Sequence, residues 1–172
     1  IEIVALIDTN LEGAEEFKSK YNLSCKIFTQ LEEATQETAL DSVIISVPHY
    51  LHEDLALRAF SQKLNVLLEK PMAHTLDSAH RILDQSRRSD NIFMIAENSQ
   101  YWPERLKVKD LLLDGVIGEV VTAKASFRQA SDKDIFDSYS VLKGDTESKA
   151  WRYSLAAAGG GITIDGGAHW IR

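Results

Sequence analysis

The sequence predicts an α/β fold, a parallel sheet with helices on its faces, and three observations lead there. Apolar runs alternate four times with stretches of helical spacing before residue 92, where a fifth run begins. The runs are continuous rather than period-two, as expected of strands buried on both faces. Several end abruptly in a charge or a proline: "IEIVALIDTN" at Asp8, "DSVIISVP" at Pro48, "LNVLLEKP" at Glu69, Lys70 and Pro71.

The elements follow in order. A first strand is expected over 1–7, and a helix over 11–21 with Asn10 as its N-cap. "CKIF" (25–28) reads as a short strand, and Thr29 as the cap of a helix over 30–36. A buried strand over 42–47 leads to a helix over 52–62 with Leu55, Leu57 and Phe60 at core spacing. The strand over 64–71 precedes a helix capped by Thr75, whose apolar stripe is Ala79, Ile82 and Leu83. Residues 92–98 form another strand with a polar tip.

The pattern then changes, and a domain boundary is expected near 101–103, dividing the chain into 1–101 and 102–172. Pro103 suits the first turn of a helix that stops near Gly115. Residues 119–129 place Val121, Ala123, Ala125 and Phe127 against polar partners, the alternation of a half-exposed strand. The polar stretch 130–149 reads as a long loop or insertion.

Composition narrows the function. A 44% apolar fraction suffices for a core, and a net charge of −7 offers no basic face for a nucleic-acid backbone. No run approaches a membrane span. Cys25 stands alone, so no internal disulfide is possible, which fits a reducing, cytoplasmic setting. The opening residues read as a strand without a basic leader, and no secretory signal is expected. No initiator Met precedes them, so the chain is expected to lack its true beginning.

Four groups of residues carry chemistry. Asp8 stands at a strand tip, where a doubly wound fold grips the ribose of a dinucleotide; an ordinary cap aspartate is the plainer reading. Glu69 and Lys70 put opposite charges at the edge where open α/β sheets bind ligands, and lysine there can stabilise charge developing on a substrate oxygen. An exposed pair leading into a loop reads equally well. Pro48-His49 ends a strand, and His52 lies in the first turn of the following helix, which favours anions; surface or capping roles are the alternative.

The last group is "GGGITIDGGAHW". Asp165 and His169 are four apart and share one face if the segment is helical. Histidine titrates near neutrality and suits taking a proton from an alcohol while hydride leaves its carbon. Gly159, Gly160, Gly161, Gly166 and Gly167 would each cost helix stability, about 1 kcal/mol inside a helix, which suggests close approach of backbone to a flat ligand. A surface pair beside a flexible loop is the alternative. No metal site is expected, because no cysteine accompanies these residues and His74 and His80 are not placed to complete one.

Together these residues resemble the glucose–fructose oxidoreductase/inositol dehydrogenase (Gfo/Idh/MocA) family. The resemblance runs in order through Asp8, "VPHYLHEDLALRAF", "EKP" at 69–71, "YWPERLKVKDLLLDGVIGEV", Trp151-Arg152 and GGG-x3-D-x-G-x-H at 159–169. It implies a Rossmann-like nucleotide-binding domain followed by the start of an open-faced α/β substrate domain. It implies oxidation of a sugar, cyclitol or related diol, or the reverse reduction, with NAD(H) or NADP(H). Lys70 would bind the reacting hydroxyl and its bond to Pro71 would be cis. His169 would be the acid–base and Asp165 its partner in orienting substrate. Glu69, Pro48 and His52 would lie along the cofactor, and Asp8 would take the adenosine ribose hydroxyls. Trp151 and Arg152 would line the cleft, with Asn98 and Tyr101 on its floor, and Arg152 and Asn98 are counted with the cofactor contacts. Asp8 favours NAD(H), because a carboxylate repels a 2′-phosphate. A homo-oligomer, with a small polyol or sugar as substrate, completes the expectation.

The chain departs from the family pattern in two ways: it lacks the glycine motif, and it stops at Arg172, before most of the second domain's sheet. The first 114 residues hold one glycine, Gly13, so no G-x-G-x-x-G is present and the central first strand of such a sheet is missing. The strands over 1–7 and 42–47 would then face each other unpaired. A truncated, non-catalytic member acting as a ligand-binding or regulatory protein is the alternative, as is a fragment completed by another chain.

Overall fold

The computed structural model describes residues 1–124, 150–160, 164 and 166–169. They fall in two compact units, Ile1–Ala96 and Glu97–Arg172.

The first unit alternates strand and helix: β1 (Ala5–Ile7), α1 (Leu11–Lys20), β2 (Lys26–Phe28), α2 (Leu31–Glu37), β3 (Ser42–Ile45), α3 (His52–Ser61), β4 (Asn65–Glu69), α4 (Leu76–Arg88) and β5 (Phe93–Ala96). Every ladder is parallel, and the strands form two sheets, β1-β2 and β3-β4-β5. Among the described residues no ladder joins β1 to β3. Within the larger sheet Leu68 of β4 pairs in register with Ile45 and Ile95. Asn65 ties the entrance of β4 to both neighbours: its amide donates to Asp41 O at 3.0 Å, and its carbonyl oxygen accepts from Ile92 N at 2.9 Å.

The helices begin where side chains satisfy their first N–H groups. Asn10 accepts from Gly13 N at 3.0 Å, and Thr75 from Ser78 N at 3.2 Å. Thr29 does not cap α2. Its hydroxyl donates to Glu33 one turn on, at 3.3 Å, and Gln30 occupies the cap position without a side-chain bond. The end of β2 at Phe28 leaves one more extended residue before the helix than the expected cap allowed.

The core cluster gathers around β3, β4 and β5. Leu31, Ile45, Ala56, Ala59, Phe60, Leu64, Val66, Leu68 and Ile82 are buried together. Complete burial of a side chain such as Leu68 or Ile82 contributes about 1.5–3 kcal/mol. The buried face of α3 runs through His52, Ala56, Ala59 and Phe60, with Leu55 and Leu57 partly buried on its flanks. Two alanines facing the sheet let α3 sit close to it, and Phe60 meets Phe93 edge-on at 5.5 Å. On the outer side Arg58 of α3 forms ion pairs with Glu32 and Asp54, and Arg81 of α4 with Glu53.

The second unit opens with a 3-10 turn, Asn98–Tyr101, followed by α5 (Pro103–Leu113) with proline in its first turn. α5 buries none of its residues. Residues 121–124 carry no strand, so the expected half-exposed strand is absent from its described part, and 125–129 lie outside the described residues. A second 3-10 turn, Ala150–Tyr153, leads to the short helix Leu155–Ala158. Gly159 closes that helix in the left-handed conformation at φ 85°. A Cβ on Gly160 would lie 2.5 Å from Cγ1 of Ile164. These two glycines therefore answer demands of the chain itself, where the sequence suggested approach to a ligand.

Candidate functional site

In the first unit the candidate residues stand just beyond the C-terminal ends of parallel strands. Asp8 follows β1, Pro48 follows β3, and Glu69 ends β4 with Lys70 next. That placement is a consequence of continuous apolar strands that stop at a charge or a proline. Asp8 is exposed, and its Oδ1 accepts from Asn10 N at 2.8 Å. It therefore forms the local turn while presenting a carboxylate at the strand tip. Glu69 turns back on the chain and accepts from Lys70 N at 3.1 Å. Lys70 is half-buried, and the Lys70–Pro71 bond is cis.

His52 differs from its expected place along a cofactor. Its ring is 1% exposed, with Nδ1 2.9 Å from Pro71 O and Nε2 2.9 Å from Val47 O. Both nitrogens face backbone carbonyls, so the ring spans the ends of β3 and β4 and has neither nitrogen to offer a ligand. Burial pushes its pKa down from 6.5, against the carbonyls and Glu69, which favour the charged ring. His49, also buried, meets it edge-on with ring centres 5.6 Å apart.

In the second unit His169 ends a 3-10 turn, Gly167–His169. Its Nδ1 lies 3.0 Å from Oε1 and 2.8 Å from Oε2 of Glu97. Glu97 caps the turn after β5: Ser99 donates to Oε1 through its backbone N–H at 3.0 Å and its hydroxyl at 2.7 Å. Burial raises the Glu97 pKa, but the bonds from Ser99 and His169 outweigh it and hold the carboxyl at about 2. Arg105 of α5 donates to His169 O at 2.6 Å and lies over the Trp102 ring at 5.6 Å. Local sequence patterns do not suggest Glu97, Ser99 or Arg105 as partners of His169. One signal was present: Glu97, like Asp8, is a carboxylate at a strand tip.

Of the remaining candidates, Asn98 and Tyr101 are exposed on the turn that follows Glu97. Trp151 and Arg152 stack at 4.7 Å, with Arg152 exposed. Asp165, the expected partner of His169, lies outside the described residues. Among the described residues no three His, Cys, Asp or Glu side chains gather as metal ligands, and no helix is long and apolar enough to cross a membrane.

Comparison with known proteins bears on what this arrangement serves. Residues 1–97 match the model of an oxidoreductase family with an NAD-binding Rossmann fold, and residues 106–172 match the Gfo/Idh/MocA C-terminal domain. The chain belongs to the Gfo/Idh/MocA oxidoreductase family. It is 30% identical over 129 residues to trans-1,2-dihydrobenzene-1,2-diol dehydrogenase of Danio rerio, covering 75% of this chain and 38% of that protein. It is 28% identical to oxidoreductase P35 of Formosa agariphila, over 98% of this chain and 50% of that one. The crystal structure of an NAD binding oxidoreductase from Klebsiella pneumoniae superposes with a TM-score of 0.72 at 27% identity, covering 98% of this chain and 42% of that one. The chain thus spans half or less of the length of these relatives. The Rossmann-like reading of the parallel sheet and its helices holds for this Gfo/Idh/MocA chain.

Proposed function

We propose that the whole protein is an NAD(P)-dependent oxidoreductase that moves a hydride between nicotinamide and a hydroxyl-bearing carbon of a sugar, cyclitol or related diol. The observation that carries this reading is the imidazole of His169 held through Nδ1 against a buried carboxylate, which is how an acid–base histidine is oriented. The Danio rerio relative is named for a diol substrate, which supports the substrate class.

The donor set suits a dinucleotide. An exposed carboxylate beyond a parallel strand matches the vicinal hydroxyls of a ribose, and Asp8 is such a group. Its charge repels a 2′-phosphate, which favours NAD(H) over NADP(H). Pro48, Glu69, Asn98 and Arg152 are the further cofactor-binding residues of this reading. The nicotinamide, when bound, supplies the hydride acceptor.

The chain's own residues do the rest. Lys70 binds the reacting hydroxyl and stabilises negative charge as it develops on oxygen. Nε2 of His169 takes the hydroxyl proton while the hydride leaves the same carbon, and the product is the carbonyl compound. In the reverse direction the imidazolium returns that proton. Asp165, Tyr101 and Trp151 contact and orient the substrate. Cys25, a buried free thiol, suits the cytoplasm. Leu113 and Ile117, 76% and 67% exposed on and after α5, suit burial in a homo-oligomer.

The test is a panel of polyols and sugars offered to the whole protein with NAD and with NADP, followed by nicotinamide absorbance. Substrate-dependent reduction, lost in Lys70→Ala and His169→Ala, is expected. Unchanged turnover in both variants would sink the assignment.

A further inference from the structure

The acid–base histidine of a dehydrogenase has to present one particular ring nitrogen, and the structure contains a device that selects it. Glu97 is 7% exposed and ionised at neutral pH, so it can only accept hydrogen bonds. Its two oxygens lie 3.0 and 2.8 Å from Nδ1 of His169. A neutral imidazole facing such an acceptor carries its proton on Nδ1, which leaves Nε2 as the nitrogen with a lone pair.

The device is braced on both sides. Ser99 holds Oε1 by two donors, at 3.0 and 2.7 Å, which fixes the plane of the carboxylate. Arg105 holds the backbone carbonyl of His169 at 2.6 Å, which fixes the root of the imidazole. Ring and carboxylate are thus tied to the backbone of the turn after β5 and to α5, not to each other alone.

We propose that Glu97 is a positioning residue that sets the tautomer and orientation of His169, so that Nε2 is the nitrogen that exchanges the substrate proton. The proposal rests on the reading of His169 as the acid–base, and it gives the task of orienting the imidazole to Glu97.

The pattern of donors makes the test specific. In Glu97→Gln the two Ser99 donors hold the amide oxygen at the Oε1 position. Nδ1–H then keeps its acceptor at the Oε1 position, so Glu97→Gln should retain the tautomer, whereas Glu97→Ala removes the acceptor. Loss of the acceptor should release the ring, and kcat of Glu97→Ala should fall roughly 10-fold or more, with KM changed far less. Glu97→Gln should retain more activity than Glu97→Ala.

Long-range 1H–15N correlation spectra of His169 in the whole protein read the tautomer without any turnover. The wild type and Glu97→Gln are expected to show Nδ1–H with a bare Nε2, and Glu97→Ala a mixture of the two tautomers. A wild-type ring protonated on Nε2, or an unchanged tautomer in a folded Glu97→Ala, overturns the proposal. If the wild type shows the Nδ1–H form but no polyol turns over, the pairing stands and the dehydrogenase reading fails.

Discussion

Replacing His52 by alanine tests how the strand-end edge is held in place. The ring is almost completely buried, and its nitrogens lie 2.9 Å from the carbonyls of Val47 and Pro71. A neutral ring donates one of these bonds, worth about 1 kcal/mol. Its removal also leaves a cavity and two buried carbonyl oxygens without their nitrogen partner, for about 2 kcal/mol more. A loss of about 3 kcal/mol is a large share of a typical 5–15 kcal/mol stability. In urea, with a slope of about 2 kcal/mol per molar, the midpoint of the first unit should fall by about 1.5 M. Acid adds a second signature. Burial holds the folded pKa of His52 below 6.5, so as pH falls through 6.5 the unfolded chain takes the proton first. The stability this neutral ring permits is complete above 6.5 and is lost below it, and His52→Ala should lack that slope. A midpoint shift below about 0.3 M, which corresponds to less than the single hydrogen bond, would mean that the ring does not hold the two strand ends.

Three further outcomes follow from the same geometry. Glu97, held at about 2 against an ordinary 4.5, contributes about 3 kcal/mol at neutral pH, and this is lost as pH falls from 4.5 towards 2. Acid titration of the second unit's unfolding in Glu97→Gln should lack that window, which lies well below the His52 one. Gly160→Ala would drive a methyl group to 2.5 Å from Ile164 and should cost about 1–3 kcal/mol by thermal unfolding; a neutral result would mean the close approach is not real. Asp8→Ser should raise NADP(H) use relative to NAD(H), by about 10-fold or more if the lost repulsion is worth 1.4 kcal/mol, as read from the ratio of kcat/KM for the two cofactors.

How much of this was legible in the sequence depended on how local the physics was. The cap at Asn10 and the proline start of α5 could be read because a side chain and its partner lie within one turn. The strands could be read from their unbroken apolar runs, but burial on both faces, which such runs suggest, is not met at Ile44 and Met94, 65% and 40% exposed. Thr29 misled because a threonine before an acidic helix start can bond either to backbone or to the glutamate one turn on, and it bonds to Glu33. His52 misled in another way. A histidine in a first helical turn looks poised for an anion, but its burial is decided by the ends of β3 and the loop after β4, which local pattern does not report. The pairing of Glu97 with His169 joins residues 72 apart. No periodicity carries such a pair, and only the fold brings it together. The glycine cluster suggests room for a ligand, where Gly159 and Gly160 serve a helix end and a side-chain contact.

Hydride transfer itself can be followed most directly with a polyol carrying deuterium on the reacting carbon, by mass analysis of the nicotinamide after incubation with the whole protein. Label should pass to the nicotinamide ring in the wild type, and at least roughly 10²-fold more slowly in Lys70→Ala and His169→Ala. Label that never reaches the cofactor, or that reaches it equally fast in all three proteins, would contradict the dehydrogenase reading.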